Sequence, residues 1–134
     1  MLPSLSCYQP IAQNIWQGRK DNPFKERIFE LVKTVNLQTE ILPKEYDQQM
    51  LIGFCCDEGI KRNLGRPGAF AGPMQIRQQL GKLAFHKNQQ LLDLGNIICA
   101  DQHLELAQTE LSQIVSLCHA HQARANQPDQ QGRP

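Results

Sequence analysis

Two spacings of apolar residues alternate along this chain. Phe24, Ile28, Phe29, Leu31, Val32 and Val35 recur at helical intervals, with Asp21 or Asn22 placed to cap and Pro23 in the first turn, which predicts a helix to about Asn36. Pro43 ends any helix, and Met50-Leu-Ile-Gly-Phe-Cys-Cys follows as a short unbroken apolar run, the pattern of a strand buried on both faces. Pro73 opens a second helical stripe of Met74, Ile76, Leu80, Leu83 and Ala84, reaching about Phe85. Leu91-Leu-Asp-Leu-Gly-Asn-Ile-Ile reads as a second strand. Asp101 is placed to cap a third helix whose stripe is Leu104, Ala107, Leu111, Ile114, Val115 and Cys118.

Strands alternating with helices predict an α/β fold, a small parallel sheet of few strands flanked by helices. Residues 1–22 mix prolines and polar residues with Leu, Tyr8 and Trp16 and read as an irregular arm anchored by Trp16. Residues 23–120 form the domain, and from His121 the composition turns polar, which predicts a disordered tail over 121–134.

Composition narrows the function classes. With 134 residues, 40% of them apolar and 20% charged, the chain has the balance of one globular domain. A formal charge of +1 supplies no field to gather phosphates, so no nucleic-acid partner is expected. No apolar run nears the roughly 20 residues that span a bilayer, and the first residues lack a basic flank and apolar signal core. A cytoplasmic protein without membrane contact is the expectation. Cys7, Cys55, Cys56, Cys99 and Cys118 make an odd set, which predicts unpaired thiols in a reducing compartment.

The segment Gly53-Phe-Cys-Cys-Asp-Glu-Gly-Ile-Lys-Arg-Asn-Leu-Gly-Arg-Pro-Gly-Ala-Phe-Ala-Gly-Pro-Met-Gln-Ile-Arg resembles the start of formimidoylglutamases, histidine-degradation enzymes of the arginase (ureohydrolase) superfamily. Ile15-Trp-Gln-Gly-Arg-Lys-Asp resembles that family's W-x-G-R-x-D segment. Leu92-Asp-Leu-Gly-Asn-Ile resembles its D-x-G-D-[VI], with Asn96 in place of the usual acid. The likeness runs from about residue 14 to residue 120. It implies the N-terminal fragment of an arginase-like three-layer fold. It also implies kinship with manganese hydrolases in which two bridged ions activate a water against the formimino carbon of N-formimino-L-glutamate. That family draws its metal ligands from G-G-G-H-E, D-A-H-x-D and D-x-D motifs, none of which occurs here. The chain is therefore expected to hold no cofactor and to carry no catalytic residue. Asp101-Gln-His-Leu-Glu imitates D-A-H-x-D but lies where a helix cap is due, and one stray Asp and His are too few donors for a metal.

The stretch from Asp57 to Gly72 is long for a connector in so small a domain. Lys61, Arg62, Asn63 and Arg66, with Gly72 at the following helix start, form a candidate site for a small carboxylate, at the carboxyl end of the first strand. In the resembled family the equivalent loop borders the active-site mouth. The structural alternative, which is preferred, has Gly65, Gly68 and Gly72 serving tight turns, Arg66 and Arg77 holding loop and helix together through carbonyls or Asp57, and Lys61 solvated. Asp57 and Glu58 read as a solvated loop acid and an arginine's partner rather than a catalytic carboxyl pair. Cys118-His-Ala-His121 has donors for zinc shared with a second chain, yet Cys118 fits a core position better. Cys55 and Cys56 read as buried small hydrophobes, and His86 and His103 as surface residues.

Two buried strands do not complete a sheet, because each needs neighbours on its edges. Self-association is the expected remedy, a longer ureohydrolase-like chain the other. A monomer would require the N-terminal arm, through Trp16 and Tyr8, to cover the exposed edge.

Overall fold

The structure is a computed structural model, which describes residues 1–19, 27–44, 48–57, 68–84, 90–100 and 102–125. Its centre is a strand made almost wholly of buried positions. This strand, Gln90–Ile98, is the fourth in chain order, β4. The first apolar run forms β3, Gln48–Cys55, which lies parallel to β4 along its whole length, from Gln48 opposite Gln90 to Cys55 opposite Ile98. Two strands of two residues each share the other edge of β4. β1, Tyr8–Gln9, is antiparallel, with Tyr8 opposite Ile97; β2, Lys33–Thr34, is parallel, with Lys33 opposite Leu92. The four-stranded sheet is thus mixed rather than purely parallel, because the arm turns back and contributes β1.

The helix expected to reach Asn36 is cut short. Helix α1 is Ile28–Leu31, and Val32 is already extended at φ −71°, ψ 139°. Residues 20–26 lie outside the described set, so the proposed caps go untested. Ile28, Phe29, Val32 and Val35 are buried as the helical reading requires, but from Val32 the chain runs extended and pairs with β4, with the Val35 amide donating to the Asp93 carbonyl at 2.9 Å. The outer edge of β2 is closed by one side chain. Gln13 donates to the Val32 carbonyl at 3.1 Å and accepts from the Thr34 amide at 3.0 Å, standing in for a neighbouring strand.

Helices cover both faces. Leu51 and Leu91 project toward α1 and α2, Gly72–Leu80, and pack with Trp16, Ile28, Phe29, Val32 and Leu80. Met50, Ile52, Leu92, Leu94 and Ile97 project to the opposite face, where Leu5, Tyr8, Val35, Leu37, Ala107 and Ile114 enclose a larger core under α3, Leu104–Ala125. This face switching follows from strand alternation. It is interrupted once, where Leu51 faces Asp93 but Gly53 faces Asn96. Gly95 absorbs the additional residue of β4 at φ 93°, and a Cβ there would stand 2.7 Å from the Gln9 carbonyl oxygen.

β3 is only half-buried at most of its positions, not enclosed on both faces as its apolar run suggested, because it sits at the sheet's margin. Helix α3, in turn, continues past His121, where the polar tail was expected to begin. His121 is buried, its Nε2 lies 2.7 Å from the Pro43 carbonyl, and Gln122 donates to the Gln48 carbonyl at 3.2 Å. These ties anchor the last turns beside β3. Among the described residues no helix is long and apolar enough to cross a membrane.

Two polar groups fasten the arm. The Tyr8 hydroxyl accepts from the Leu37 amide at 3.1 Å and has the Leu94 carbonyl at 2.5 Å as its acceptor, a carbonyl that the irregularity at Gly95 leaves available. Glu110, on α3, accepts from the Ser6 amide at 2.9 Å, the Ser6 hydroxyl at 2.7 Å and the Cys7 amide at 2.8 Å. Burial pushes the Glu110 carboxyl up, but the hydrogen bonds from Ser6 and Cys7 outweigh it and hold the group below its ordinary value.

Two tests follow from these clips. Tyr8→Phe leaves the Leu37 amide and the Leu94 carbonyl unpaired in the core, so urea unfolding should show a loss of about 1–3 kcal/mol. A carboxylate whose folded-state value is depressed contributes stability above its ordinary value of 4.5 and loses it as pH falls through the lower folded value. Proteolysis of residues 1–7 should therefore accelerate in the parent as pH falls below 4.5, whereas Glu110→Gln should be cut fast already at neutral pH, with no further acceleration on acidification.

Candidate functional site

Three buried polar side chains converge on the face of the sheet under α2. Asp93 is 0% exposed and Arg77 4%. They meet side on, with Arg77 Nε donating to Asp93 Oδ2 at 2.8 Å and Nη2 to Oδ1 at 2.9 Å. Nη1 donates to Asn96 Oδ1 at 2.7 Å, and Nη2 also reaches the Gly95 carbonyl at 2.8 Å. Each carboxylate oxygen of Asp93 takes a second donor, Trp16 Nε1 at 2.9 Å on Oδ2 and the Gly95 amide at 3.0 Å on Oδ1. Trp16 is thus the arm's anchor as its apolar bulk suggested, with an indole hydrogen bond added.

The arrangement explains why Arg77 departs from expectation. Its guanidinium holds neither the loop carbonyls nor Asp57; α2 packs flat over Gly53, and the side chain is drawn inward to the buried Asp93 carboxylate. A Cβ on Gly53 would lie 2.0 Å from Asn96 Oδ1 and 3.1 Å from Arg77 Nη1, so the missing side chain is what lets the network cross the strand. Asn96 occupies the place where the resembled family has an acid, and accepts from the arginine through its amide oxygen.

Asp57 takes structural partners, two backbone amides among them. Its Oδ1 accepts from Gly68 at 2.8 Å and Phe70 at 2.9 Å, which draws the two ends of the glycine-rich loop together at the carboxyl end of β3. Lys61, Arg62, Asn63 and Arg66, with Glu58 and Gly65, lie outside the described residues, so their carboxylate and structural readings are both untested. Gly68 has the conformation that favours glycine, at φ 151°. Gly72 does not; it is an ordinary first residue of α2 at φ −54°, ψ −50°, with open space where a Cβ would point. The tight turn expected there is absent because the helix has already begun.

The other constellations come apart in the fold. Cys118 lines a groove beside β3, while His121 turns to the Pro43 carbonyl, so the C-x-x-H spacing does not gather a site. His103 is exposed at the start of α3; Asp101 and His86 lie outside the described residues. None of the five cysteines is in a disulfide. Burial pushes the thiols of Cys118 and Cys55 up, the latter opposed by Arg77, and burial with the charge of Glu110 does the same to Cys7, which leaves these three protonated and weakly nucleophilic at neutral pH. Among the described residues no three His, Cys, Asp or Glu side chains stand close enough to hold a metal ion. The manganese centre of the resembled family therefore finds no donor set in the described part of this chain. The two buried acids among the described residues, Asp93 and Glu110, are already saturated by other partners.

A helix layer on each face of a mainly parallel sheet is consistent with a fragment of an arginase-like fold. Sequence comparison makes the relationship specific. The formimidoylglutamase of Legionella pneumophila (strain Lens) is 46% identical over 119 residues, which is 89% of this chain and 37% of that enzyme. The formimidoylglutamase of Photorhabdus laumondii is 39% identical over 122 residues, 90% of this chain and 38% of the relative. That of Citrobacter koseri is 40% identical over 116 residues, 85% and 37%. No family model matches the chain. The chain is homologous to an N-terminal portion of formimidoylglutamases and spans little more than a third of the length of the curated relatives it matches.

Removing one member of the buried pair strands the other. Asp93→Asn leaves Arg77 without its counter-charge and should cost about 3–5 kcal/mol in chemical denaturation, with Trp16 fluorescence shifted toward that of exposed indole. A loss under 1 kcal/mol would show that the pair is not what holds α2 to β4.

Proposed function

We propose that this chain is a non-catalytic scaffold of formimidoylglutamase type, an interaction protein of a reducing, cytoplasmic compartment rather than a hydrolase in its own right. The observation that carries this reading is the commitment of its acids. Asp93 is spent on Arg77, Trp16 and Gly95, Glu110 on Ser6 and Cys7, and Asp57 closes a loop, so among the described residues these acids are not left to hold the ions that would activate a water. What the scaffold offers instead is a rigid, charge-compensated strand pair with a clamped loop at its carboxyl end, where ligands of open α/β sheets gather.

A second reading is supported by the topology. β3 connects to β4 through α2 on one face, and α3 leaves β4 on the other. Since crossovers between parallel strands are right-handed, a strand following α3 would lie beyond β3, on the side away from β1 and β2. A longer ureohydrolase-like chain supplying that strand, and manganese ligands with it, would make the assembly a hydrolase of N-formimino-L-glutamate in histidine degradation. The glycine-rich loop would then border the new crevice.

The primary reading is checked by adding Mn²⁺ and N-formimino-L-glutamate to the pure chain and measuring formamide. No release is expected. Turnover that a chelator abolishes and manganese restores would overturn it.

A further inference from the structure

The register of the two long strands brings two cysteines together at their carboxyl ends. On β3, Met50, Phe54 and then Cys56 project to the face under α3; on β4, Leu92, Ile97 and then Cys99 do the same. Met50 stands opposite Leu92 and Phe54 opposite Ile97. The next position on this face, two residues further along each strand, is therefore Cys56 on one and Cys99 on the other. The backbones stay aligned past the last paired residues, Cys55 and Ile98, because the Cys99 amide donates to the Cys55 carbonyl at 2.9 Å.

Parallel strands lie about 4.8 Å apart, which puts neighbouring Cα atoms inside the range of roughly 4.4–6.8 Å that a disulfide bridges. Their Cβ atoms stand at about the same separation, wider than the usual 3.5–4.5 Å, so a bond between them closes under strain and reopens readily. The two thiols also differ in access. Cys56 is half-buried, whereas Cys99 is 6% exposed. That asymmetry suits a two-step exchange, in which the accessible sulfur meets the oxidant and the shielded one resolves the adduct.

The remaining cysteines are placed less well. Cys55, one residue earlier, turns to the opposite face, toward Arg77. Cys118 lies further back along the sheet, in the groove beside Met50 and Ile52. Cys7 sits across β4, where the Ile98 amide donates to its carbonyl at 2.7 Å, and burial with the charge of Glu110 pushes its thiol up. Among the described residues no three metal-ligating side chains gather, so Cys56 and Cys99 form a dithiol rather than part of a metal site.

We propose that Cys56 and Cys99, thiols in this structure, are a reversible redox pair oxidised by small disulfides of the glutathione type. The Cys56 thiolate attacks one sulfur of glutathione disulfide and expels a glutathione thiolate; the Cys99 thiolate then attacks the Cys56 sulfur of the mixed disulfide and expels the second. One protein disulfide and two glutathione thiols result. The protein loses two electrons to the glutathione disulfide, and the two thiol protons end on the glutathiones.

Incubation of the folded, pure chain with millimolar glutathione disulfide should leave three of its five thiols titratable in urea, with the mass of a single chain lowered by two hydrogen atoms and no glutathione attached. Dithiothreitol should restore all five. Cys7→Ser and Cys118→Ser should each still lose two thiols. Cys56→Ser should abolish the intramolecular bond, and Cys99→Ala should stop at a glutathione adduct on Cys56. Retention of all five thiols overturns the proposal, as does a two-thiol loss that persists in Cys56→Ser, a glutathione adduct that the parent never resolves, or a disulfide between two chains. These outcomes are independent of the formamide assay.

Discussion

The Arg77 to Asp93 pair is the constraint on which the rest of the architecture turns. A carboxylate at the centre of an apolar strand is unfavourable by several kcal/mol unless it is paired and hydrogen-bonded, and in this fold every lone pair that matters has a donor. Because those donors come from α2, from the arm through Trp16 and from the strand's own turn at Gly95, one buried group fixes three elements in a single arrangement. Replacing the pair with apolar residues of similar volume need not weaken the domain, but it would release the geometry. What the network confers is specificity of position, in particular the angle at which α2 lies across Gly53.

That placement has consequences further out. α2 held over β3 and β4 leaves a groove on the outer side of β3, and α3, anchored through His121 and Gln122 near the other end of the strand, leaves a second groove on the opposite face. The arm meanwhile is consumed in closing the far edge of β4. It cannot do both, since Tyr8 and Trp16 are already bound to β4. The expectation that a monomer's arm covers the exposed edge therefore meets a geometric limit: the arm covers an edge, but the one across the sheet from β3.

Both long strands were legible because an unbroken apolar run bounded by glycine, proline and polar residues has few other uses in a domain of this size. The short elements were not. Phe24 to Val35 carries a helical spacing that an extended segment satisfies equally well once its amides find β4, and no local rule announces a two-residue strand. Polar residues hid a stronger signal. Arg77 falls at i+4 from Pro73 within the stripe of α2, and Glu110 falls between Ala107 and Ile114 within that of α3, each a charge on a face that should be apolar. Asp93 and Asn96 do the same inside β4. An arginine and an aspartate, each misplaced in adjacent elements of opposite expected contact, are a pair before they are anything else. The sequence alone directed attention to Lys61, Arg62, Asn63 and Arg66 instead, since loop cations look like ligands-in-waiting while buried ones do not announce themselves.

Asn96 makes the electrostatic logic explicit. The resembled family carries an acid at this place, in a motif where the neighbouring residue corresponding to Asp93 is acidic as well. With one guanidinium serving both positions, a second carboxylate would leave a net negative charge in a pocket shielded from water, tolerable where a cation or a polar crevice lies close by and unfavourable where none does. An asparagine keeps the same acceptor oxygen for Arg77 Nη1 and removes the surplus charge. On the non-catalytic reading proposed above, the substitution is one that a scaffold relieved of metal chemistry accepts. It retains the shape of the network without the surplus charge.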